Sequence, residues 1–286
     1  MRIAMFQQPL GENRVLCRLC PRACRIDDGS CGFCRVRINR SGTLFTVADF
    51  PAAIQVDPIE KKPLARYRPG SRVLSIGTFG CNLTCRFCQN YHLSRHVEEE
   101  ADETLAPEMV PTLAQRYGCE SVALTYNEPT VFIEYALELL RAARAAGLGT
   151  VLVSNGFISP EARAELYPLV DAANIDVKGF SQEFYRRLCA GELRPVLGSC
   201  ESFKHRCGGH LEITNLLIPG ENDSAEMIDA LLDWAAEHLG LDTPLHFSAC
   251  CPAGSWTAPP TPPGTVRAAA ARARERGFEA VFCGNI

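Results

Sequence analysis

The sequence predicts an α/β protein, a partial parallel (β/α)6 barrel preceded by a small Cys-rich N-terminal module. Three observations point there. Short β-branched runs alternate with amphipathic helical segments from residue 72 onward, five cysteines crowd into residues 17–34, and unusual polar residues fall at the ends of the predicted strands.

The N-terminal segment CRLCPRACRIDDGSCGFC has too little apolar sequence for a core of its own, and residues 1–66 are taken as the metal-binding module. Residues 67–286 carry the barrel. Its predicted strands are RVLSIGT (72–78), SVALTY (121–126), TVLVSN (150–155), AANIDVK (172–178), HLEITNLL (210–217) and PLHFS (244–248). Pro107 opens the first long helical segment and Gly118 closes it; the next runs from Pro129 to Gly147. Ser159-Pro160 and Asp223-Ser224 mark two further helix starts, and PAGSWTAPPTPPG (252–264) reads as a linker before a last helix and a short strand.

At 286 residues, 47% hydrophobic and 22% charged, the composition is that of a soluble globular chain, with no apolar run long enough to span a membrane. The opening MRIAMFQQPLGENR is too short in apolar residues for a signal core, so a cytoplasmic location is expected. In such a reducing compartment, 15 cysteines are better explained by metal than by disulfides. A net charge of −4 without a dense Lys/Arg tract gives no footprint for nucleic acid.

Parallel βα barrels place their chemistry at the carboxyl ends of the strands. Cys81, Asn127 and Glu128, Ser154 and Asn155, Asp176 and Lys178, Thr214 and Asn215, and Ser248, Cys250 and Cys251 all fall at or just beyond successive strand ends. A polar residue at one strand end often merely begins a loop, but six ends in a row argue for a working rim. Asp176 and Lys178 share one face of a strand, which suits a pair that holds a charged ligand.

TFGCNLTCRFCQN (78–90) spaces Cys81, Cys85 and Cys88 as C-x3-C-x2-C. A structural zinc site closes with four ligands, whereas three thiolates on a [4Fe–4S] cluster leave one iron without a protein ligand. Zinc with a distant fourth ligand, such as His92 or His96, is the competing reading.

This motif, with Phe87 before its last cysteine, resembles the signature of the radical S-adenosylmethionine enzymes. The resemblance implies a [4Fe–4S] cluster on Cys81, Cys85 and Cys88, and S-adenosylmethionine bound at the open iron. Reductive cleavage would then give a 5′-deoxyadenosyl radical that abstracts hydrogen from a substrate. It further implies cofactor contacts from Phe87, Asn127 and Glu128 of YNEP, where related activases commonly have Gly-Gly-Glu-Pro, and from Ser154 and Asn155 near the ribose. Asp176 and Lys178 are similar to the Asp-x-Lys of glycyl-radical activating enzymes, and IPGEND (218–223) to a loop beside adenine. CRLCPRAC, DPIEKKPL, GTFGCNLTCRFCQN and LLIPGENDS together resemble the AmmeMemoRadiSam-type enzymes, relatives of the pyruvate formate-lyase activating enzyme. The sequence departs from that pattern at Cys31 and at Cys250-Cys251, where relatives have Arg-Phe.

The implied partners are S-adenosylmethionine, an unidentified small-molecule or protein substrate, a reductant such as flavodoxin or ferredoxin, and Memo-like and AMMECR-like proteins. Activation of a glycyl-radical enzyme and a non-catalytic zinc-knuckle binding protein are the alternatives. Cys17, Cys20, Cys24 and Cys34 suffice for a closed four-thiolate site, zinc or a further iron–sulfur cluster, with Cys31 spare. Adjacent Lys61 and Lys62 read as a solvated turn by composition, or, on the family resemblance alone, as a pair facing an anionic partner across the barrel mouth. Cys119, Cys189, Cys200, Cys207 and Cys283 have no partner that spacing identifies.

Overall fold

The computed structural model describes residues 1–97 and 104–286. Two small antiparallel sheets make up its start. One joins β1 (Arg2–Ile3), β6 (Thr43–Thr46) and β5 (Arg37–Arg40); the other joins β2 (Gln7–Gly11), β3 (Arg14–Cys17) and β4 (Arg25–Ile26).

The main sheet begins at β7 (Ala53–Pro58), which pairs antiparallel with β8 (Arg72–Gly77). From β8 the pairing is parallel through β9 (Ser121–Leu124), β10 (Gly149–Ser154), β11 (Ala172–Asp176), β12 (His210–Leu217), β13 (Leu245–Ala249) and β14 (Val281–Gly284). Each of the six predicted strands is present within one or two residues of its expected ends. The reason is burial on both faces, which a parallel sheet covered by helices demands and which continuous Val, Leu and Ile runs supply. One face, with Leu74, Ile76, Val122, Leu124, Leu152, Ile175, Ile213 and Phe247, joins the helices in the main core. The other face holds a small separate cluster of Val73, Ala123, Val151 and Ala172, capped by Ile59 and Leu64.

The helices begin where their caps predict. Ser159 Oγ accepts from Ala162 N at 3.2 Å and Ser224 Oγ from Met227 N at 3.3 Å, each satisfying an amide that the first turn leaves unpaired. Pro129 opens a 3₁₀ turn to Phe132 that continues as the α-helix Ile133–Ala145. No described helix is long and apolar enough to cross a membrane.

β7 lies outside the sequence expectation, because AIQVDP ends in Asp-Pro and reads as turn chemistry. On an edge strand, Pro58 lacks no ladder partner. The segment after β7 then crosses the amino-terminal end of the barrel. Asn174 Nδ2 donates to Pro63 O at 2.8 Å, and the amides of Ala65 and Arg66 donate to Glu212 at 3.0 and 2.8 Å. Within this plug Lys62 corrects the expectation of a solvated turn. It is 2% exposed, bonds Asp57 Oδ2 at 2.6 Å and lies 4.6 Å from the Tyr126 ring centroid, whereas Lys61 is exposed.

Candidate functional site

Gly80 fixes the entry to the cysteine loop. Its φ is 84°, and a Cβ there would lie 2.6 Å from the carbonyl oxygen of Cys34 and 2.7 Å from Val36, so only glycine lets the N-terminal module pack against the loop. Asn127 holds the same stretch from the end of β9. Its Nδ2 donates to the carbonyls of Phe79 and Gly80 at 2.9 and 3.0 Å and to Thr78 Oγ1 at 3.1 Å, while its Oδ1 accepts from Thr78 N at 2.9 Å.

Beyond Gly80, the loop turns through Cys81, Cys85 and Cys88 into the helix Tyr91–Arg95. Donors surround its sulfurs. Leu83 N points to Cys81 Sγ at 3.4 Å, Asn155 Nδ2 to the same sulfur at 3.7 Å, and Cys88 Sγ shares a hydrogen bond with Ser94 Oγ at 3.6 Å. Burial raises the pKa of Cys81 and Cys88, so an apo loop keeps these thiols protonated and metal binding must expel the protons. The donors suit the thiolate form, and three such sulfurs fit an iron–sulfur cluster. Among the described residues, no group of three or more His, Cys, Asp or Glu side chains could hold a single metal ion. His92 and His96 are exposed; the His92 ring lies 5.9 Å from that of Tyr91, and the His96 ring 6.3 Å from that of Phe79. Each iron of a cluster takes its own thiolate, so its ligands stand farther apart than those of one ion.

The remaining rim residues form the frame of this loop. Glu128 is buried and committed: Oε1 accepts from Thr130 N, Thr130 Oγ1 and Ser154 Oγ at 3.0, 2.7 and 2.8 Å, and Oε2 from Asn155 N at 2.8 Å. Desolvation nonetheless holds its pKa above the usual carboxylate value. Asn155 Nδ2 also donates to Asn82 Oδ1 at 2.9 Å, and Asn82 Nδ2 to Phe157 O at 2.6 Å. The ends of β9 and β10 are thereby tied to the residue beside Cys81. Phe87 is buried with its ring 6.1 Å from that of Phe184.

Asp176 and Lys178 form an ion pair of 2.8 Å at the end of β11. Burial alone would depress the lysine pKa, but the negative Asp176 beside it raises it, so the rim carries a fixed cation beside the second cysteine. IPGEND is bound to the same end, Asn222 Nδ2 donating to Lys178 O at 2.7 Å. From β13, Ser255 N donates to Arg86 O at 3.2 Å, which lays the segment after Cys250 and Cys251 over the cysteine loop.

The four N-terminal thiols lie in one module, and none of their groupings could hold a single ion. Cys17, Cys20, Cys24 and Cys34 feel one another's charge, and burial pushes Cys20 and Cys34 up to about 12, whereas Cys31 is exposed. Arg22 connects this module to the cysteine loop: Nε donates to Asn82 O at 2.6 Å, Nη2 donates to Ala190 O, and the guanidinium stacks 3.4 Å from the Phe33 centroid. Sequence spacing identifies neither Asn82 nor Arg22, because each acts across a long chain separation.

The sequence pattern of the Radical SAM superfamily matches residues 75–235, more than half of the chain. An uncharacterized protein of Methanocaldococcus jannaschii is 39% identical over 289 aligned positions, covering 100% of this chain and 86% of that one. SuiB of Streptococcus suis, in its structure bound to S-adenosylmethionine, superposes with a TM-score of 0.58 at 15% identity over 75% of this chain and 52% of SuiB. The chain thus spans about half the length of SuiB. A radical SAM methyltransferase from Sphaerobacter thermophilus gives 0.56 at 16% identity, over 76% of this chain and 67% of that one. At such identities the two structures share the fold alone with this protein. The barrel, its three-cysteine loop and the matched pattern lead to one conclusion: the chain belongs to the Radical SAM superfamily, a family of enzymes.

Proposed function

We propose that this protein is a radical S-adenosylmethionine enzyme of the AmmeMemoRadiSam type, which uses a [4Fe–4S] cluster on Cys81, Cys85 and Cys88 to begin hydrogen abstraction from a substrate. The observation that supports this most is the three-thiol loop at the carboxyl rim of the barrel, with donors to its sulfurs and the Asp176–Lys178 pair beside Cys85. When bound, the cluster supplies the electron that cleaves S-adenosylmethionine to a 5′-deoxyadenosyl radical. The chain's own residues supply position. Lys178 offers a cation to an anionic group of the cofactor, held in place by Asp176. Asn127, Glu128, Ser154 and Asn155, whose side chains are committed within the protein, hold the rim in register. Phe87 and Phe184 exclude water from the base of the loop. The four N-terminal thiols are offered as ligands to a further iron–sulfur cluster, and Arg22 links their module to the loop.

The test is anaerobic reconstitution with iron and sulfide, followed by dithionite and S-adenosylmethionine. The expected result is 5′-deoxyadenosine released by the wild type and none by Cys85→Ala. A brown four-iron protein that releases none would defeat the reading.

A further inference from the structure

Four arginines gather at the seam between the N-terminal module and the cysteine loop. The guanidinium of Arg22 lies 3.4 Å from the centroid of the Phe33 ring and that of Arg95 5.9 Å from it, so one ring carries two cations. Arg35 joins them, its Nη1 donating to Arg95 O at 3.2 Å. Arg22 also shares a cleft of about 330 Å³ with Arg186, which is exposed. Phe33 itself is 36% exposed, a large aromatic left at the surface beside them.

None of these charges is neutralised. Among the described residues, Arg22, Arg35 and Arg95 hydrogen-bond only to backbone carbonyls, which leave the charge in place, and none of the four forms an ion pair. Glu192 lines the cleft but is exposed and bonds none of them. Like charges held together without a counter-ion repel one another, and a fold that keeps them so favours an anionic partner. The carbonyl acceptors locate the patch. Arg22 bonds Asn82 O and Arg95 bonds Leu83 O, each at 2.6 Å, and both acceptors lie between Cys81 and Cys85. Phe33 precedes Cys34 of the N-terminal thiols.

The radical chemistry proposed above needs one electron from outside the chain, and this patch is bonded to the backbone of the cysteine loop. We propose that Phe33 with Arg22, Arg35, Arg95 and Arg186 forms the docking face for an acidic one-electron carrier protein that reduces the cluster. The proposal rests on the reading that Cys81, Cys85 and Cys88 bind that cluster. The carrier loses one electron and the cluster gains it, with no proton or group transferred. Opposite charge guides the encounter, while the exposed ring supplies an apolar contact that fixes it. A protein fits better than a nucleic acid, because the patch is small and the chain around it has a net charge of −4, which repels a long polyanion.

The experiment uses the full chain reconstituted anaerobically with iron and sulfide, as wild type, as Arg186→Glu, which disturbs no hydrogen bond, and as the double variant Arg35→Glu with Arg186→Glu. Flavodoxin is the acidic carrier. Two quantities are measured: affinity for oxidised flavodoxin across a salt series, and 5′-deoxyadenosine release driven by reduced flavodoxin or by dithionite, which needs no docking face. Both variants should keep four irons and the wild-type dithionite rate. Flavodoxin affinity and the flavodoxin-driven rate should fall in both, by about 10-fold or more in the double variant. Wild-type binding should weaken as salt rises, and the double variant should respond less. Unchanged flavodoxin affinity and rate in the variants, or a wild type that responds to dithionite but not to flavodoxin, overturns the proposal alone. An equal fall in both rates makes the arginines part of the reaction centre or of the fold and overturns it too. Single-stranded RNA that binds wild type and not the double variant, with flavodoxin unaffected, gives the face to nucleic acid instead. A wild type that releases nothing with either reductant overturns the functional reading and this proposal with it.

Discussion

Asn127 donates its side-chain amide to the carbonyl of Gly80 at 3.0 Å, so the end of one barrel strand holds the residue that precedes Cys81. The same carboxamide serves Thr78 and Phe79, and all these groups are buried. Asn127→Ala leaves buried carbonyls unpaired, at a cost of roughly 2–3 kcal/mol. The expected outcome is a folded protein with reduced iron retention after gel filtration. Retention equal to wild type would show that the loop holds its shape without this brace.

Lys61 and Lys62 are neighbours with opposite expected responses. Both bond Asp57, yet Lys61 is exposed and Lys62 is buried beneath Tyr126. Lys62→Ala removes a buried charge partner and is expected to cost about 3–5 kcal/mol. Lys61→Ala should cost about 0–1 kcal/mol, the range for an exposed pair. Chemical denaturation of the two variants measures the difference.

Glu212 sets a pH dependence of stability. Burial alone would raise its pKa, but hydrogen bonds from His210 and His246 and from the amides of Arg66 and Ala65 bring it down to about 2, from an unperturbed 4.5. A carboxylate depressed in the folded state contributes stability that is complete above the unfolded pKa and is lost as pH falls through the folded one. The contribution is roughly 3 kcal/mol, and it should fade between about pH 4.5 and 2. Glu212→Gln should flatten the stability profile across that window, read by urea titration at a series of pH values.

Arg22→Ala should loosen the cysteine loop without touching a cysteine. It removes donors to Asn82 O and Ala190 O and the stack on Phe33. Iron loss to a chelator is expected to quicken several-fold. Arg22→Lys should rescue it poorly, because an ammonium lacks the planar fork that reaches both carbonyls. Equal chelation rates in wild type and Arg22→Ala would separate the N-terminal module from the loop.

Much of this architecture is legible in the sequence because its physics is local. A strand buried on both faces needs a continuous β-branched run, and a three-thiol loop announces itself by spacing. β7 is hidden because its Asp57-Pro58 end imitates a turn, and Lys62 because its partners Asp57 and Tyr126 meet it only inside the barrel. The rim residues are legible as a set, while their individual tasks are not. Glu128 and Asn127 read as ligand contacts, yet the fold spends their polar atoms on Ser154, Thr130 and the cysteine loop. Arg22 and Asn82 depend on chain crossings that no spacing encodes.

In the proposed centre, Cys81, Cys85 and Cys88 leave one iron open to the cofactor. Mössbauer spectra of the iron-57 reconstituted protein, with and without S-adenosylmethionine, report on each iron separately. One iron in four is expected to change its isomer shift when the cofactor is added, while the other three stay where they are. Four irons that remain equivalent and unmoved would mean that no iron is open to S-adenosylmethionine.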